Sequence, residues 1–388
     1  MDDIVAAARE LVPLLAAEAP ETERLGRLTD KAAAALREAG MFSLLTPRAC
    51  GGLGAGARAV VAATTELGRG CGSSAWVCGV FAACSFLVAL FGDRARAEVW
   101  GDDPAAAVCG TTTGAGHAAV ADGGVVVSGT WRTASGIRHA RWVTLFAPVA
   151  GPDGVVTGQL AALLPAREVV IHDSWDSTGL RGTGTESFTV TGAFVPEHRL
   201  LSVPALLGGE YAGGHPGEPI AAMTFSSFLP VSLTGALIGM ARGTLEHVLA
   251  VLAAGRPMGL TTYASAAASP SVQFDVADAA SLIDTATLHA ARAVGDLEQG
   301  VADGAPLPLA TRARIRMDVG TVTRCAREAA GLLASAGGMG SFAASSPVQR
   351  HLRDLEVAAR HGSLSPRLSR EVYGRALLGL DEQVVRIV

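Results

Sequence analysis

The spacing of apolar residues divides the chain into three parts. From Met1 to about Asp103, and again in the last 170 or so residues, apolar positions recur three to four apart, which is typical of helices. From about Ala106 to Ser202 the period is two, and segments 125–131, 142–146 and 188–191 alternate as strands do. The pattern predicts a mostly helical α+β protein, with an N-terminal helical domain at 1–105, a central antiparallel β-domain at 106–215 and a C-terminal helical bundle at 216–388.

Glycine and proline mark the predicted ends of these elements. The N-terminal helices are predicted to break at Pro20, at Gly40, at a turn over 51–54 and around 70–72. Turns at 122–124, 151–154 and 182–184 separate the strands, and a Gly/Pro-rich linker at 208–219 leads into the bundle. Interruptions at 256–270, 304–308 and 337–340 divide the bundle into long helices.

One helix of the bundle has clear signals at both ends. Ser346 suits the N-cap and Pro347 the first helical position. Helical spacing puts four apolar residues on one face: Val348, Leu352, Leu355 and Ala359. His361 followed by Gly362 is predicted to end this helix.

Composition excludes several classes of protein. With 49% hydrophobic and 17% charged residues, the 388-residue chain can bury a sizeable core and is not intrinsically disordered. The net charge is −5 and the sequence has no run of basic residues, so it does not predict a nucleic-acid-binding surface. Lys31 is the only lysine and lies in a polar stretch, which argues against Schiff-base chemistry.

The sequence also predicts a cytoplasmic protein. The N-terminus lacks the basic and apolar regions of a signal peptide, and the six cysteines form no C-x-x-C pair and are typical of buried thiols in a reducing compartment. The uncharged segment 75–91 is slightly short for a membrane span and lacks basic flanks. We therefore expect a helix buried on all sides rather than a membrane segment.

Most common catalytic motifs are absent. There is no H-E-x-x-H, Walker A or G-x-S-x-G motif, and no metal-binding pattern. The glycine-rich run 181–187 is followed by a strand pattern, whereas a Rossmann phosphate loop opens a helix. Two interpretations stay open for this run: a polar turn between strands, or a hydroxyl-lined contact to a ligand.

Segment 129–136 carries a more specific pattern. A period of two puts Trp131, Thr133 and Ser135 on one strand face, so an aromatic ring and two hydroxyls line up. Such a face could contact a planar heteroaromatic ligand, or it could be an ordinary half-buried sheet surface.

An ordered set of short motifs resembles the acyl-CoA dehydrogenase superfamily. They lie at 38–42, 51–53, 72–76, 129–136, 178–184, 194–196 and 335–340, and together they extend over nearly the whole chain. The resemblance implies an N-terminal helical domain, a central β-domain and a C-terminal four-helix bundle. It also implies a homotetramer that holds flavin between β-domain and bundle, with a neighbouring subunit completing the site.

The positions of the dehydrogenase base carry no carboxylate. Removal of an α-proton from a thioester needs such a base. By the resemblance, His361, before Gly362 and Ser363, occupies the usual position of the catalytic glutamate. Phe228 occupies the position at which another branch of the superfamily carries it. An acyl-CoA dehydrogenase is therefore only an alternative here, and a non-catalytic binding protein on the same scaffold is another.

A histidine at this point resembles the group D two-component flavin-dependent monooxygenases, as does the run 349–354. That likeness implies reduced flavin (FMNH2 or FADH2) from a separate flavin reductase, O2 as co-substrate, and oxygen transfer through a C4a-(hydro)peroxyflavin in a water-poor pocket. It implies catalytic roles for His361 and Ser135. The residues it implies for cofactor binding are Thr111, Thr112, Trp131, Thr133, Ser135, Thr183, Thr185, Arg256, Gln273, Gly337 and Gly338. Without the resemblance, His361 could simply bond the free carbonyls of a helix end.

The substrate is less well defined. The family resemblance implies substrate contacts from Cys84, Phe81 and Phe228. Cys84 occupies the position at which phenol hydroxylases of this group have a second histidine. A thiol of ordinary pKa is a poor base for a phenol. We therefore expect a small-molecule substrate that is a polycyclic aromatic or quinone-like natural product, with an amine, as in nitrososynthase relatives, as the alternative. The Ala/Arg-rich, lysine-poor composition suggests a high-GC bacterial source.

Overall fold

The first hundred residues form six helices. The computed structural model describes residues 1–151, 155–210, 223–380 and 384–385. The N-terminal helices are α1 (Asp2–Glu10), α2 (Val12–Leu25), α3 (Asp30–Glu38), α4 (Ala57–Gly70), α5 (Gly72–Ala89) and α6 (Asp93–Trp100). The predicted breaks at Gly40, 51–54 and 70–72 fall between helices, as expected from the sequence.

The predicted break at Pro20 is wrong. Helix α2 continues through Pro20 and ends at Gly26, whose φ of 67° is left-handed. Pro20 and Ala16, whose carbonyl loses its helical partner, are both exposed, so water can bond that carbonyl. A proline on the exposed face of a helix therefore costs less than the sequence rule assumes.

Helix α5 is the central helix that the apolar run predicted. Small residues allow close packing, since a Cβ added at Gly79 would lie 2.7 Å from the Ser232 carbonyl oxygen. By length and composition alone, two stretches could cross a membrane: Gly72–Ala89, which is 94% buried in this fold, and Phe225–Ala253, which is 56% buried. Burial of α5 on all sides is what a core helix of this composition requires.

The central part is one eight-stranded sheet. Its strands are β1 (Val108–Thr111), β2 (Gly114–Ala121), β3 (Gly124–Ala134), β4 (Trp142–Ala150), β5 (Val156–Pro165), β6 (Val170–His172), β7 (Glu186–Pro196) and β8 (Leu200–Ser202). The order is β6-β7-β3-β2-β4-β5-β8, with β1 also paired to β4. The three predicted strands are confirmed as parts of β3, β4 and β7. Residues 152–154 of the predicted turn at 151–154 lie outside the described residues.

The sheet is not purely antiparallel, which corrects the prediction. Strand β4 runs parallel to β1 and to the end of β2, while the other pairings are antiparallel. The β2–β3 hairpin reverses the chain, and the connection after β3 brings β4 back in the direction of β1. Alternation along single strands cannot reveal this crossover.

The helices after the sheet form the predicted bundle. They are α7 (Val203–Gly208), α8 (Phe225–Val231), α9 (Thr234–Ala253), α10 (Pro270–Asp303), α11 (Leu309–Gly337), α12 (Pro347–Ala358) and α13 (Pro366–Leu377). All three predicted interruptions separate these helices. Most of the predicted linker, 211–219, and the proposed boundary at 215/216 lie outside the described residues, so the domain limits stay predictions.

Helix α12 begins as predicted but ends earlier. The Ser346 hydroxyl accepts a hydrogen bond from the Val348 backbone N–H, which caps the first turn. The helix ends at Ala358, so His361 does not terminate it but lies in the following turn, where its backbone N–H donates to the Ala358 carbonyl.

Candidate active site

One cavity of about 610 Å³ lies between the sheet, helix α5 and the bundle. This volume is within the roughly 300–1,000 Å³ range of small-molecule sites. Its bundle side is mainly apolar, with lining residues that include Phe225, Leu229, Leu233, Val357 and Leu368. Its sheet side carries hydroxyls, from Thr111, Thr112, Thr113, Thr133, Ser135, Thr144 and Thr185.

Five of the predicted cofactor-binding residues line this cavity: Thr111, Thr112, Thr133, Ser135 and Thr185. They come from β1, the end of β3 and the turn before β7, which the sheet brings side by side. Thr183 is buried next to Thr185 and does not line the cavity itself. The glycine-rich run therefore does supply a ligand-facing hydroxyl, and it does so from a turn between strands.

The hydroxyls form a chain with a fixed direction. The Trp76 indole N–H donates to Ser135 Oγ at 3.2 Å, Ser135 Oγ lies 2.8 Å from Thr185 Oγ1, and Thr185 Oγ1 lies 2.6 Å from Thr183 Oγ1. Thr183 donates its only hydroxyl proton to the Leu180 carbonyl at 2.8 Å. Thr185 must then donate to Thr183, and Ser135 to Thr185.

This direction determines what Ser135 offers to a ligand. Its proton is used towards Thr185 and one lone pair accepts from Trp76, so one lone pair is left on the cavity side. Ser135 therefore acts as an acceptor for an N–H or O–H donor in the cavity.

His361 lies in the same cavity, with its ring edge-to-face on Trp76 at a centroid distance of 5.7 Å. The imidazole is accessible along the cavity. The surrounding protein and the Arg316 cation both disfavour its protonation, and they lower the pKa of His361 to about 4. The imidazole is thus neutral at neutral pH.

The hydrogen bond to Nδ1 selects one tautomer of His361. The Ser363 backbone N–H donates to His361 Nδ1 at 3.2 Å, so Nδ1 is the acceptor and the proton of the neutral ring is on Nε2. His361 therefore presents a hydrogen-bond donor. A role as base would require the opposite tautomer, which the Ser363 N–H opposes.

No carboxylate faces the cavity among its described lining residues. At the second position where a dehydrogenase would carry its base, Phe228 is fully buried and packs edge-to-face on Phe86 at 5.4 Å. The described residues of the site therefore do not provide the carboxylate that α-proton removal from a thioester requires.

Cys84 lines the cavity, but its thiol is unreactive. Burial raises the pKa of Cys84 to about 12, so the thiolate is not populated at neutral pH. The pKa of Cys84 is thus not the ordinary value assumed from the sequence, and that Cys84 is a poor base for a phenol stays a prediction.

The three predicted aromatic contacts do not reach the cavity. Trp131 is fully buried, stacks on Phe188 at 5.9 Å and donates its indole N–H to the Phe146 carbonyl. Phe81 packs edge-to-face on Phe42 at 5.1 Å, and Phe228 packs in the core as described above. These corrections arise because apolar character indicates burial but not which side of an element faces a cavity.

An irregularity in β3 explains why Trp131 and Ser135 do not share a face. The pairing of β3 with β7 shifts between Trp131 and Ala134, and Thr133 has a φ of 61°. Arg132 and Thr133 are both exposed, and the next two residues are both buried. The two-residue alternation that the prediction assumed therefore ends at this bulge.

The remaining predicted cofactor residues form a separate group. The Arg256 guanidinium donates to the Ala336 carbonyl at 3.2 Å and lies 3.1 Å from a Cβ built on Gly338, next to Gly337. Gln273 donates to the Ala267 carbonyl at 2.9 Å. None of these four residues lines the cavity of its own chain.

Among the lining residues that were not predicted from the sequence, three carry polar or aromatic groups of interest: Trp76, Trp175 and Arg316. Trp76 was part of a recognised motif but was not assigned a role. Arg316 lies on the buried face of α11, because Val319 and Thr323, three and seven residues later, are fully buried in the structure.

The cavity fits a flavin ring system. An isoalloxazine is flat, with an apolar benzenoid end and a polar edge. The cavity likewise has an apolar side, formed by the bundle, and a side with hydroxyl groups, formed by the sheet. The free lone pair of Ser135 suits the additional ring N–H of reduced flavin. Fold and site together define a flavin-using oxidoreductase with an imidazole, and no carboxylate, among the described residues of its cavity.

Comparisons with known proteins agree with this class. The family model described as acyl-CoA dehydrogenase, N-terminal domain, matches residues 2–104, and that of the C-terminal domain matches residues 231–366. The flavin-dependent monooxygenase oxygenase subunit HsaA of Mycobacterium tuberculosis is 32% identical over 383 residues, 97% of this chain and 95% of the relative. The oxygenase component of FADH2-dependent resorcinol hydroxylase from Rhizobium sp. is 33% identical, over 95% of this chain and 92% of the relative.

A solved structure, XiaF from Streptomyces sp. in complex with FADH2 and glycerol, matches with a TM-score of 0.93 and 29% identity, covering 100% of this chain and 97% of that one. The chain belongs to the acyl-CoA dehydrogenase superfamily, and within it to the flavin-dependent monooxygenases that serve as oxygenase components of two-component systems. A separate reductase supplies the reduced flavin in such systems.

Proposed function

We propose that this protein hydroxylates a polycyclic aromatic or quinone-like small molecule with O2 and reduced flavin. The observation that carries the proposal is the neutral His361 imidazole at the cavity surface, where a dehydrogenase would need a carboxylate. One atom of O2 enters the substrate and the other leaves as water, and bound reduced flavin supplies the two electrons.

The residues of the cavity would divide this work. Thr111, Thr112, Thr133 and Thr185 would bind the polar edge of the flavin, and Ser135 would accept a hydrogen bond from it. His361 would donate from Nε2 to an oxygen atom at the reacting centre. The apolar residues of α8, α12 and α13, together with Leu233, would exclude water, which limits loss of activated oxygen as hydrogen peroxide.

We also propose a cytoplasmic homotetramer. Large apolar side chains are exposed on and after the long bundle helices, among them Phe274, Leu288, Met339 and Phe342. A second copy packed against this surface would bury them and bring its Arg256, Gln273, Gly337 and Gly338 towards the neighbouring cavity. A mass of one chain in solution by light scattering would contradict this assembly.

Product analysis tests the proposed activity. The protein is supplied with a flavin reductase, NADH, FMN or FAD, and a panel of fused-ring phenols, quinones and aromatic amines under 18O2. Mass spectrometry should detect a product that is heavier by one 18O atom and is absent without flavin. Oxidation of an acyl-CoA with an artificial electron acceptor, and no 18O in any product, would contradict the proposal.

A further inference from the structure

Arg316 is a buried cation on the cavity surface. It projects from α11, is only 5% exposed, and lines the cavity together with His361. Arginine is rarely buried to this extent unless a carboxylate or another strong acceptor pairs with it. The positive charge of the Arg316 guanidinium therefore requires a partner.

Within the described part of the chain, Arg316 has one hydrogen-bond acceptor and no counter-charge. One terminal nitrogen of the guanidinium donates to the Gly362 carbonyl at 2.5 Å, while Nε is buried without a hydrogen-bond partner. Among the described residues, no Asp or Glu makes a salt bridge with it. Burial lowers the pKa of Arg316 to about 10, which still leaves it charged at neutral pH.

Neighbouring arginines of the bundle behave differently. Arg314, two residues earlier on α11, pairs with Asp296 at 2.8 Å, and Arg292 of α10 pairs with the buried Asp318. Asp296 and Asp318 are thus already bonded to other arginines. Arg316 alone of these three is directed into the cavity.

Among the described residues that line the cavity, the charged side chains are cationic. Its described charged lining residues are Arg316 and Arg360, and Arg360 is exposed and already paired with Glu356 at 3.2 Å. The bond to Gly362 also fixes the guanidinium beside the residue that follows His361. An anion bound to Arg316 would therefore lie next to the imidazole.

We propose that Arg316 binds an anionic oxygen, a carboxylate or phenolate, on the aromatic substrate, and so selects acidic aromatic compounds. This assignment rests on the proposed function, because it takes the cavity as the substrate site. A guanidinium presents several N–H groups in one plane, and Arg316 has donors left for a bidentate contact to such a group. Pairing would supply the counter-charge that no described Asp or Glu provides.

Calorimetric titration with two probes of the same shape tests the proposal. The probes are 2-naphthoate and 2-naphthamide, which differ in charge but not in ring size. Wild-type protein should bind the naphthoate roughly 10- to 100-fold more tightly, as expected for charge-assisted hydrogen bonds. Arg316→Met should remove this preference without weakening naphthamide, and Arg316→Lys should retain part of it.

Arg360→Met is the matched control, because it removes a cavity cation that already has a partner, and it should keep the naphthoate preference. The melting temperature of Arg316→Met should equal or exceed that of wild type, since an unpaired buried charge is removed. If Arg316 instead stabilised the fold, Arg316→Met would have a lower melting temperature than wild type.

Equal affinities for the two probes, undetectable binding of both, or a preference that survives Arg316→Met would each overturn the assignment. The titrations contain no flavin. An intact naphthoate preference with no oxygenated product would therefore contradict the proposed function alone.

Discussion

Replacement of Thr185 by valine separates the two ends of the hydroxyl chain while keeping the side-chain shape. Thr185 accepts from Ser135 at 2.8 Å and donates to Thr183 at 2.6 Å, so the substitution removes both hydrogen bonds. Trp76 still donates to Ser135. The freed Ser135 proton can then turn into the cavity.

The size of the effect follows from these bonds. Loss of two buried, neutral hydrogen bonds should lower the free energy of unfolding by about 1–3 kcal/mol. Ser135 changes from an acceptor into a donor towards the ligand, so the affinity for reduced flavin should fall roughly 2- to 10-fold. Oxidised flavin lacks the additional ring N–H, and its affinity should not fall.

Anaerobic titration with reduced and with oxidised FMN and FAD measures this change, and urea unfolding measures the stability. Thr323→Val is the matched control: the hydroxyl of Thr323 is fully buried and donates only to the Val319 carbonyl within α11, at 2.9 Å. The control should lose about 1 kcal/mol of stability and no flavin affinity. Unchanged affinity of Thr185→Val for reduced flavin would refute the directional role given to Ser135.

Three further predictions follow from the titratable groups. The pKa of His361 is about 4, so product formed per O2 consumed should stay constant from pH 8 to pH 5.5; a fall centred near pH 6.5 would contradict a neutral imidazole. Burial lowers the pKa of His351 to about 3, so its contribution to stability is complete above the unfolded-state pKa of about 6.5 and is lost as the pH falls towards 3. His351→Asn should therefore remove about 2–3 kcal/mol of the stability difference between pH 7.5 and pH 4.5 in urea unfolding, and an unchanged difference would argue against it. Asp354 accepts a hydrogen bond from the Leu180 backbone N–H at 2.5 Å. Asp354→Ala should therefore lower the free energy of unfolding by about 2–3 kcal/mol, and Asp354→Asn by less than half of that, because the amide oxygen can still accept the bond. Equal losses in the two variants would assign the effect to packing alone.

Much of the fold could be predicted because its signals are local. Glycine and proline clusters at 256–270, 304–308 and 337–340 gave the limits of α9, α10 and α11 closely, since these residues act through their own backbone. Strand β5 was not predicted, because its last five residues are buried without interruption and do not alternate. The parallel pairing of β4 depends on the path of the chain between strands, which periodicity does not contain.

The site was only partly predictable for a similar reason. Thr111, Ser135 and Thr185 were found through family resemblance, and the structure brings them to one cavity. Trp131 was misplaced because a bulge at Thr133 ends the alternation. Arg316 was missed because an arginine on a long helix normally faces solvent, and only the packing of α11 directs it inward.

The central claim is that this cavity controls the reaction of reduced flavin with O2. Stopped-flow mixing of the protein, loaded anaerobically with FMNH2 or FADH2, with oxygenated buffer measures that reaction directly. Flavin reoxidation should depart clearly from its rate in free solution, and His361→Ala should divert O2 from product to hydrogen peroxide. Reoxidation at the free-solution rate in both proteins would contradict the account.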